Sequence, residues 1–125
     1  MDVGEILLKK HIDEAMLNFL KTHLNTFEKL DIVRFFGLNA SSRVDVETLT
    51  EVTNNKMEET SKAIKDLVKS HIIDEVTVEA KKLYELSQNK TTLELVKRFT
   101  SYYSKSSIRI LIIGYLLNKS METKQ

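Results

Sequence analysis

The spacing of apolar residues switches from helical to alternating in only one stretch of this chain, Ile72 to Ser87. Ile72 to Val78 is rich in β-branched residues and alternates from Asp74 onward. Leu83 to Ser87 alternates again, so both stretches read as half-buried strands. Glu79 to Lys82 lies between them and is polar enough for a hairpin connection. Elsewhere the apolar residues mostly fall three and four apart, as on one face of a helix. The pattern predicts a mainly α fold with a small β-hairpin.

The helices can be placed by their stripes and caps. Residues 2–24 read as one amphipathic helix, with Ile12, Met16, Phe19, Leu20 and His23 on its apolar face. Asn25 and Glu28 have capping-box spacing, which predicts a second helix from about Thr26 to Asn39. Gly37 near its end suits a residue with positive φ. Ala40 to Arg43 is a short polar connection, and Val44 is a candidate strand of one or two residues. Asp45 is a good N-cap for a short helix, Val46 to Thr53. Asn54-Asn55 predicts a tight turn, because asparagine tolerates the left-handed region. Asn55 and Glu58 repeat the capping-box spacing and open the next helix, about 56–70. After the hairpin, a helix is predicted from about Thr91 to Tyr103 and a last one from Ile108 to Asn118. That last helix is apolar nearly all round, so it needs something to bury it. Residues 120–125 read as a frayed tail.

At 125 residues the chain suggests one domain spanning 1–125, long enough to bury a core without disulfides or a structural metal. With no cysteine, disulfide scaffolds, thiolate metal sites and cysteine nucleophiles are excluded. No proline and only three glycines leave little from which to build phosphate-cradling loops. The longest near-continuous apolar run, Ile108 to Leu117, contains Arg109 and is about half the roughly 20 residues of a membrane span. The N-terminus lacks the layout of a signal peptide. A cytoplasmic, helical protein that spans no membrane is expected.

Charge is placed unevenly. The formal net charge is +1, which excludes a globally basic domain. Residues 90–125 carry seven basic and two acidic side chains, a net of +5, whereas residues 1–89 sum to −4. Such asymmetry points either to an interaction surface or to a solvated helix face.

The order helix, short strand, helix, tight turn, helix, hairpin, helix resembles a winged helix-turn-helix over residues 26–89. Thr50, Asn54 and Thr60 stand at the three spacings that let the two helices cross closely. Leu67 to Ile73 resembles the passage from recognition helix into the first wing strand, with His71 where that family usually has glycine. Leu83 to Ser87 resembles the second wing strand. With a helix before (2–24) and helices after (90–119), the layout is similar to small dimeric regulators of the MarR type and of the ArsR type. No cysteine metal sensor of the ArsR kind can be built here, and the Asp-x-Arg wing signature of the MarR type is missing.

The resemblance implies a homodimeric transcriptional regulator that binds double-stranded DNA, with the helix at 56–70 in the major groove and the wing at about 72–87 on the backbone. It implies DNA contacts from Arg43, Lys56, Ser61, Lys62, Lys65, Lys81 and Lys82. Flanking helices are expected to form the dimer interface through Ile12, Met16, Phe19, Ile110, Ile113 and Leu117. Any effector is expected between those helices and the winged helix.

Residues 41–89, however, carry seven basic and ten acidic side chains. Glu58 and Glu59 open the expected recognition helix, where they suit the helix dipole but repel phosphate. A winged helix serving as a protein-interaction module, with no direct DNA binding, is therefore the competing reading.

His11, His23 and His71 have no metal-ligand spacing. The acidic pairs are adjacent in sequence and so point apart. No nucleophile–base–orienter set is present. An enzyme is not expected, and no metal or cofactor is implied.

Overall fold

The computed structural model describes the backbone of residues 3–123 and the side chains of residues 3–121. Its elements are α1 (Val3–Lys9), α2 (Glu14–His23), α3 (Phe27–Leu38), β1 (Arg43–Val44), α4 (Val46–Thr53), α5 (Met57–Lys69), β2 (Ile73–Val78), β3 (Lys81–Leu86), α6 (Lys90–Tyr103) and α7 (Ser106–Thr123). The three strands form one antiparallel sheet in the order β1-β3-β2. This is a winged helix with helices on either side of it.

The core is built around α3. Leu30, Ile32, Val33 and Phe36 are fully buried, and the helix packs against α4, α5 and α6. Ile64 and Leu67 of α5, Leu86 of β3 and Phe99 of α6 close the same core. At the far end α1 packs along α7.

The single helix expected over residues 2–24 is two helices. Lys10, His11 and Ile12 turn the chain, and Asp13 then caps α2, its Oδ1 accepting from the Met16 amide at 2.9 Å. Aspartate is a poor helix-interior residue and a good cap, because its carboxylate binds free amides of the first turn. Arg98 of α6 ion-pairs with the same carboxylate.

Two expected caps are displaced by one residue. Thr26, not Asn25, caps α3, with Oγ1 accepting from the Lys29 amide at 3.2 Å. Asn25 Oδ1 accepts from Lys29 Nζ at 2.9 Å instead. At α5 the cap position is Lys56, which makes no side-chain cap bond, while Asn55 donates to Asp31 Oδ2 at 3.3 Å. Asp45 caps α4 as expected, accepting from the Thr48 amide at 2.8 Å. Asn54 closes α4 in the left-handed region at φ 56°.

Gly37 is helical and has no positive φ. Its small size matters instead: a Cβ there would overlap the Thr100 hydroxyl on α6. Helix α7 is longer than expected at both ends, so residues 120–123 continue the helix, and residues 124–125 of the expected frayed tail lie outside the described residues.

Candidate nucleic-acid interface

Helix α5 owes its orientation to one buried stripe. Thr60, Ala63, Ile64 and Leu67 face the core. Thr60 satisfies its hydroxyl by donating to the Lys56 carbonyl at 2.9 Å. At 3.6 residues per turn, Glu58, Lys62, Lys65 and Lys69 fall within about 60° of arc on the opposite side. All four are exposed. Among the described residues, Lys62, Lys65 and Lys69 make no ion pair.

The two glutamates of the first turn part company. Glu58 shares the outward row with the lysines, whereas Glu59, about 100° round the helix, lines a groove with Glu28, Lys29, Asp66 and the edge residue Lys62 at the start of α3. Lys29, almost buried, pairs with Asp66 at 3.1 Å and so ties α3 to the flank of α5. Ser61 is half-buried on the other flank.

The wing is a tight hairpin. Val78 pairs with Lys81 across a two-residue turn, Glu79-Ala80, whose φ values are 52° and 66°. Two successive positive φ values match the twist of a right-handed hairpin. Lys81 and Lys82, expected in the connection, therefore begin β3. Lys82 sits opposite Thr77 and is exposed.

Lys81 is engaged within the protein. Its Nζ lies 2.8 Å from Asp45 Oδ2, so one carboxylate both caps α4 and anchors the wing. The Lys81 ammonium, followed by the Thr48 hydroxyl and amide, holds the Asp45 carboxyl well below the usual carboxylate range. Asp45 in turn raises the Lys81 ammonium. Arg43 is similarly occupied, its Nε 3.0 Å from Glu85 Oε2 in the neighbouring strand.

A groove of about 340 Å³ separates α5 from the β2–β3 hairpin, with Lys62, Lys65 and Lys69 on one side and Glu75 and Tyr84 on the other. The Tyr84 hydroxyl donates to Glu75 Oε1 at 3.1 Å. Burial, and then that carboxylate, push the phenol upward.

Of the residues expected to meet DNA, the fold brings Lys62 and Lys65 together on one outward surface and leaves Lys56 exposed at its N-terminal end. Arg43 and Lys81 face acidic partners. Lys69 was not among the expected contacts, yet it completes the row. Its spacing of seven from Lys62 and four from Lys65 would have found it.

The expected dimer residues also divide. Ile12, Met16 and Phe19 are buried in the protein's own core, at most 5% exposed, and offer a partner almost no surface. They pack inward because the break at Asp13 turns α2 onto the body of the protein, where it contacts α6. Ile110 and Leu117 are 67% and 49% exposed, and Ile113 is half-buried.

Where helices 2, 3 and 7 meet lies a cavity of about 570 Å³, lined by Lys21, Asn25, Phe27, Tyr115, Leu116 and Lys119 among others. His23, nearby in sequence, is half-buried, with no hydrogen-bond partner for Nδ1 among the described residues. Burial, and then the neighbouring Lys29 charge, lower its pKa. Among the described residues no group of three or more histidine or carboxylate side chains could hold a metal ion.

No protein-family model matches the sequence, and comparison with curated proteins finds no match. The structure is similar to a mutant of MepR from a multidrug-resistant S. aureus clinical isolate. The TM-score is 0.56 and the identity 13%, over 96% of this chain and 94% of that one. It is also similar to NadR in complex with 4-hydroxyphenylacetate, with TM-score 0.55 and 13% identity, over 98% of this chain and 89% of that one. Both are winged-helix regulators of the MarR type. At this level of identity the likeness is one of fold: the chain has a MarR-like winged helix, flanking helices included.

Proposed function

We propose that this protein is a DNA-binding transcriptional regulator acting as a homodimer. Helix α5 enters the major groove and the hairpin β2–β3 lies on the DNA backbone. The reading rests on one row of side chains. Lys62, Lys65 and Lys69 face solvent on the second helix of a helix-turn-helix, unpaired among the described residues, where phosphates and guanine edges would meet them.

The outer helices support the dimer. Val3 on α1 and Ile110, Leu117 and Met121 on α7 are each about half exposed or more. A side chain at Gly114, on the same stretch of α7, would meet nothing within 4 Å. So much exposed apolar surface on two packed helices suits a partner of the same kind. Two recognition helices would then lie about one turn of DNA apart. This role makes the protein a cytoplasmic non-enzyme that needs no cofactor. Among the described residues no helix is long and apolar enough to cross a membrane.

A second reading, a winged-helix module that meets a protein partner without touching DNA, is favoured by one feature. Arg43 and Lys81 are held by Glu85 and Asp45, and the wing exposes Asp74, Glu75 and Glu79.

The two separate in a titration of mixed-sequence duplex DNA at low and moderate salt, with oligomeric state followed in the same samples. The regulator binds as a dimer and weakens steeply as salt rises. Replacing Lys62, Lys65 and Lys69 with glutamine lowers the salt slope by about one for each phosphate no longer neutralised. Absence of binding at low salt, where phosphate contacts are strongest, overturns DNA binding and leaves the interaction module.

A further inference from the structure

The outward row of α5 is not uniform: its first member is a carboxylate. Glu58 sits in the first turn and lies on the same exposed arc as Lys62, Lys65 and Lys69. In a helix docked in the major groove, the N-terminal residues reach the base edges. A glutamate there is repelled by phosphate and by every base-edge acceptor. It is tolerated only where it meets a donor.

We propose that Glu58 is a specificity-determining residue that reads a cytosine through its exocyclic amino group; the inference rests on the DNA-binding reading given above. Four base edges face a carboxylate in the major groove. Guanine offers two acceptors, O6 and N7, and thymine offers O4 beside its methyl group. Adenine offers an amino donor, but with the N7 acceptor adjacent. Cytosine alone offers the N4 donor with no acceptor beside it. The carboxylate thus favours cytosine: guanine and thymine offer it only acceptors, and adenine's donor comes with a repelling N7 beside it.

The guanine paired to that cytosine presents O6 and N7, and Lys62, one turn along the same face, is a donor suited to them. Glu58 and Lys62 together form an acceptor–donor pair that matches a single C·G base pair. Glu59 does not share this role, because it lies about 100° round the helix from Glu58, outside the arc of the lysine row.

The test is selection of binding sites from randomised duplexes by the full chain, by Glu58→Ala and by Glu58→Gln. The native protein is expected to fix a cytosine at one position of each half-site. Glu58→Ala loses that preference while affinity for mixed-sequence DNA holds or rises, since a repulsive charge has gone. Direct titration should show discrimination at that position falling by about tenfold, within the worth of one base-edge contact. Glu58→Gln, whose amide matches adenine, moves the preference toward adenine.

Circular dichroism of both variants shows whether α5 is intact, and two variants with opposite base outcomes cannot both arise from unfolding. If Glu58→Ala keeps every base preference, or gains affinity equally for all sequences, the glutamate only stabilises the helix start and the proposal fails. If the native chain binds no duplex, the DNA-binding reading falls and takes this inference with it.

Discussion

His71, between α5 and β2, sits at φ 62°, a backbone conformation that costs an L-residue about 1–2 kcal/mol. Its amide closes the end of α5 by donating to the Val68 carbonyl at 3.0 Å, so the geometry is held by the fold. His71→Gly relieves the strain and gives back part of the gain through glycine's freedom in the unfolded chain. A net stabilisation of about 0.5–1 kcal/mol is expected, read as a higher midpoint in urea at unchanged slope. The opposite holds at Gly37. Thr100 there is nearly buried and its hydroxyl is committed to the Val96 carbonyl at 2.8 Å, so it cannot swing aside without breaking that bond. Gly37→Ala should cost about 1–3 kcal/mol by overpacking, although alanine is the better helix former. A midpoint equal to or above the native one would show that α3 and α6 separate easily.

At the level of elements, the wing is fastened to the helix-turn-helix by Asp45. The carboxylate accepts from the Thr48 amide and pairs with Lys81, so one side chain sets both the start of α4 and the root of β3. Its pKa is depressed in the folded protein, first by Lys81 and then by the Thr48 hydroxyl and amide. A depressed carboxylate contributes stability above its unfolded value of about 3.9, and that contribution is lost as pH falls below it. Asparagine keeps the cap and removes the charge. Asp45→Asn should therefore lower stability at neutral pH and make the fall between about pH 5 and pH 2 shallower. Some acid sensitivity remains, since the Met16 amide holds Asp13 low and Lys21 holds Glu5 low. Urea titrations of both proteins across that range decide it, and parallel curves would mean that the Lys81–Asp45 pair is open in solution.

At the scale of the whole molecule, two exposed surfaces lie on different elements. The cationic row lies on α5, and the four most exposed apolar side chains of the outer helices, Val3, Ile110, Leu117 and Met121, lie on α1 and α7. These outer helices would join two copies while leaving both cationic rows free. Ile110→Lys with Leu117→Lys would place unpaired ammonium groups in such an interface, each costing several kcal/mol if desolvated. The dimer dissociation constant should rise by about 100-fold or more, measured by sedimentation, with helix content unchanged because both residues are exposed. A dimer of undiminished affinity would place the interface elsewhere.

Much of this protein is local in origin and could be read along the chain. Asp45 capping Val46–Thr53, the left-handed Asn54, the switch to alternation after Ile72 and the outward Lys62 and Lys65 all follow from residues within a turn or two of one another. Capping, turn chemistry and periodicity act over that distance, so sequence alone determined the order of elements from α3 onward and the winged-helix architecture. What the tertiary structure decided involves partners far apart in the chain. The helix expected over residues 2–24 breaks at Asp13, and α2 turns Met16 and Phe19 into the protein's own core; an amphipathic stripe says that a face is buried, not by what. Gly37 proved to be a contact point for Thr100, 63 positions away by sequence number, rather than a helix stop. Arg43 and Lys81 read as free cations until the fold set Glu85 and Asp45 beside them. A charge in the sequence is only a candidate for recognition, because its availability depends on which opposite charge the folded chain places within reach.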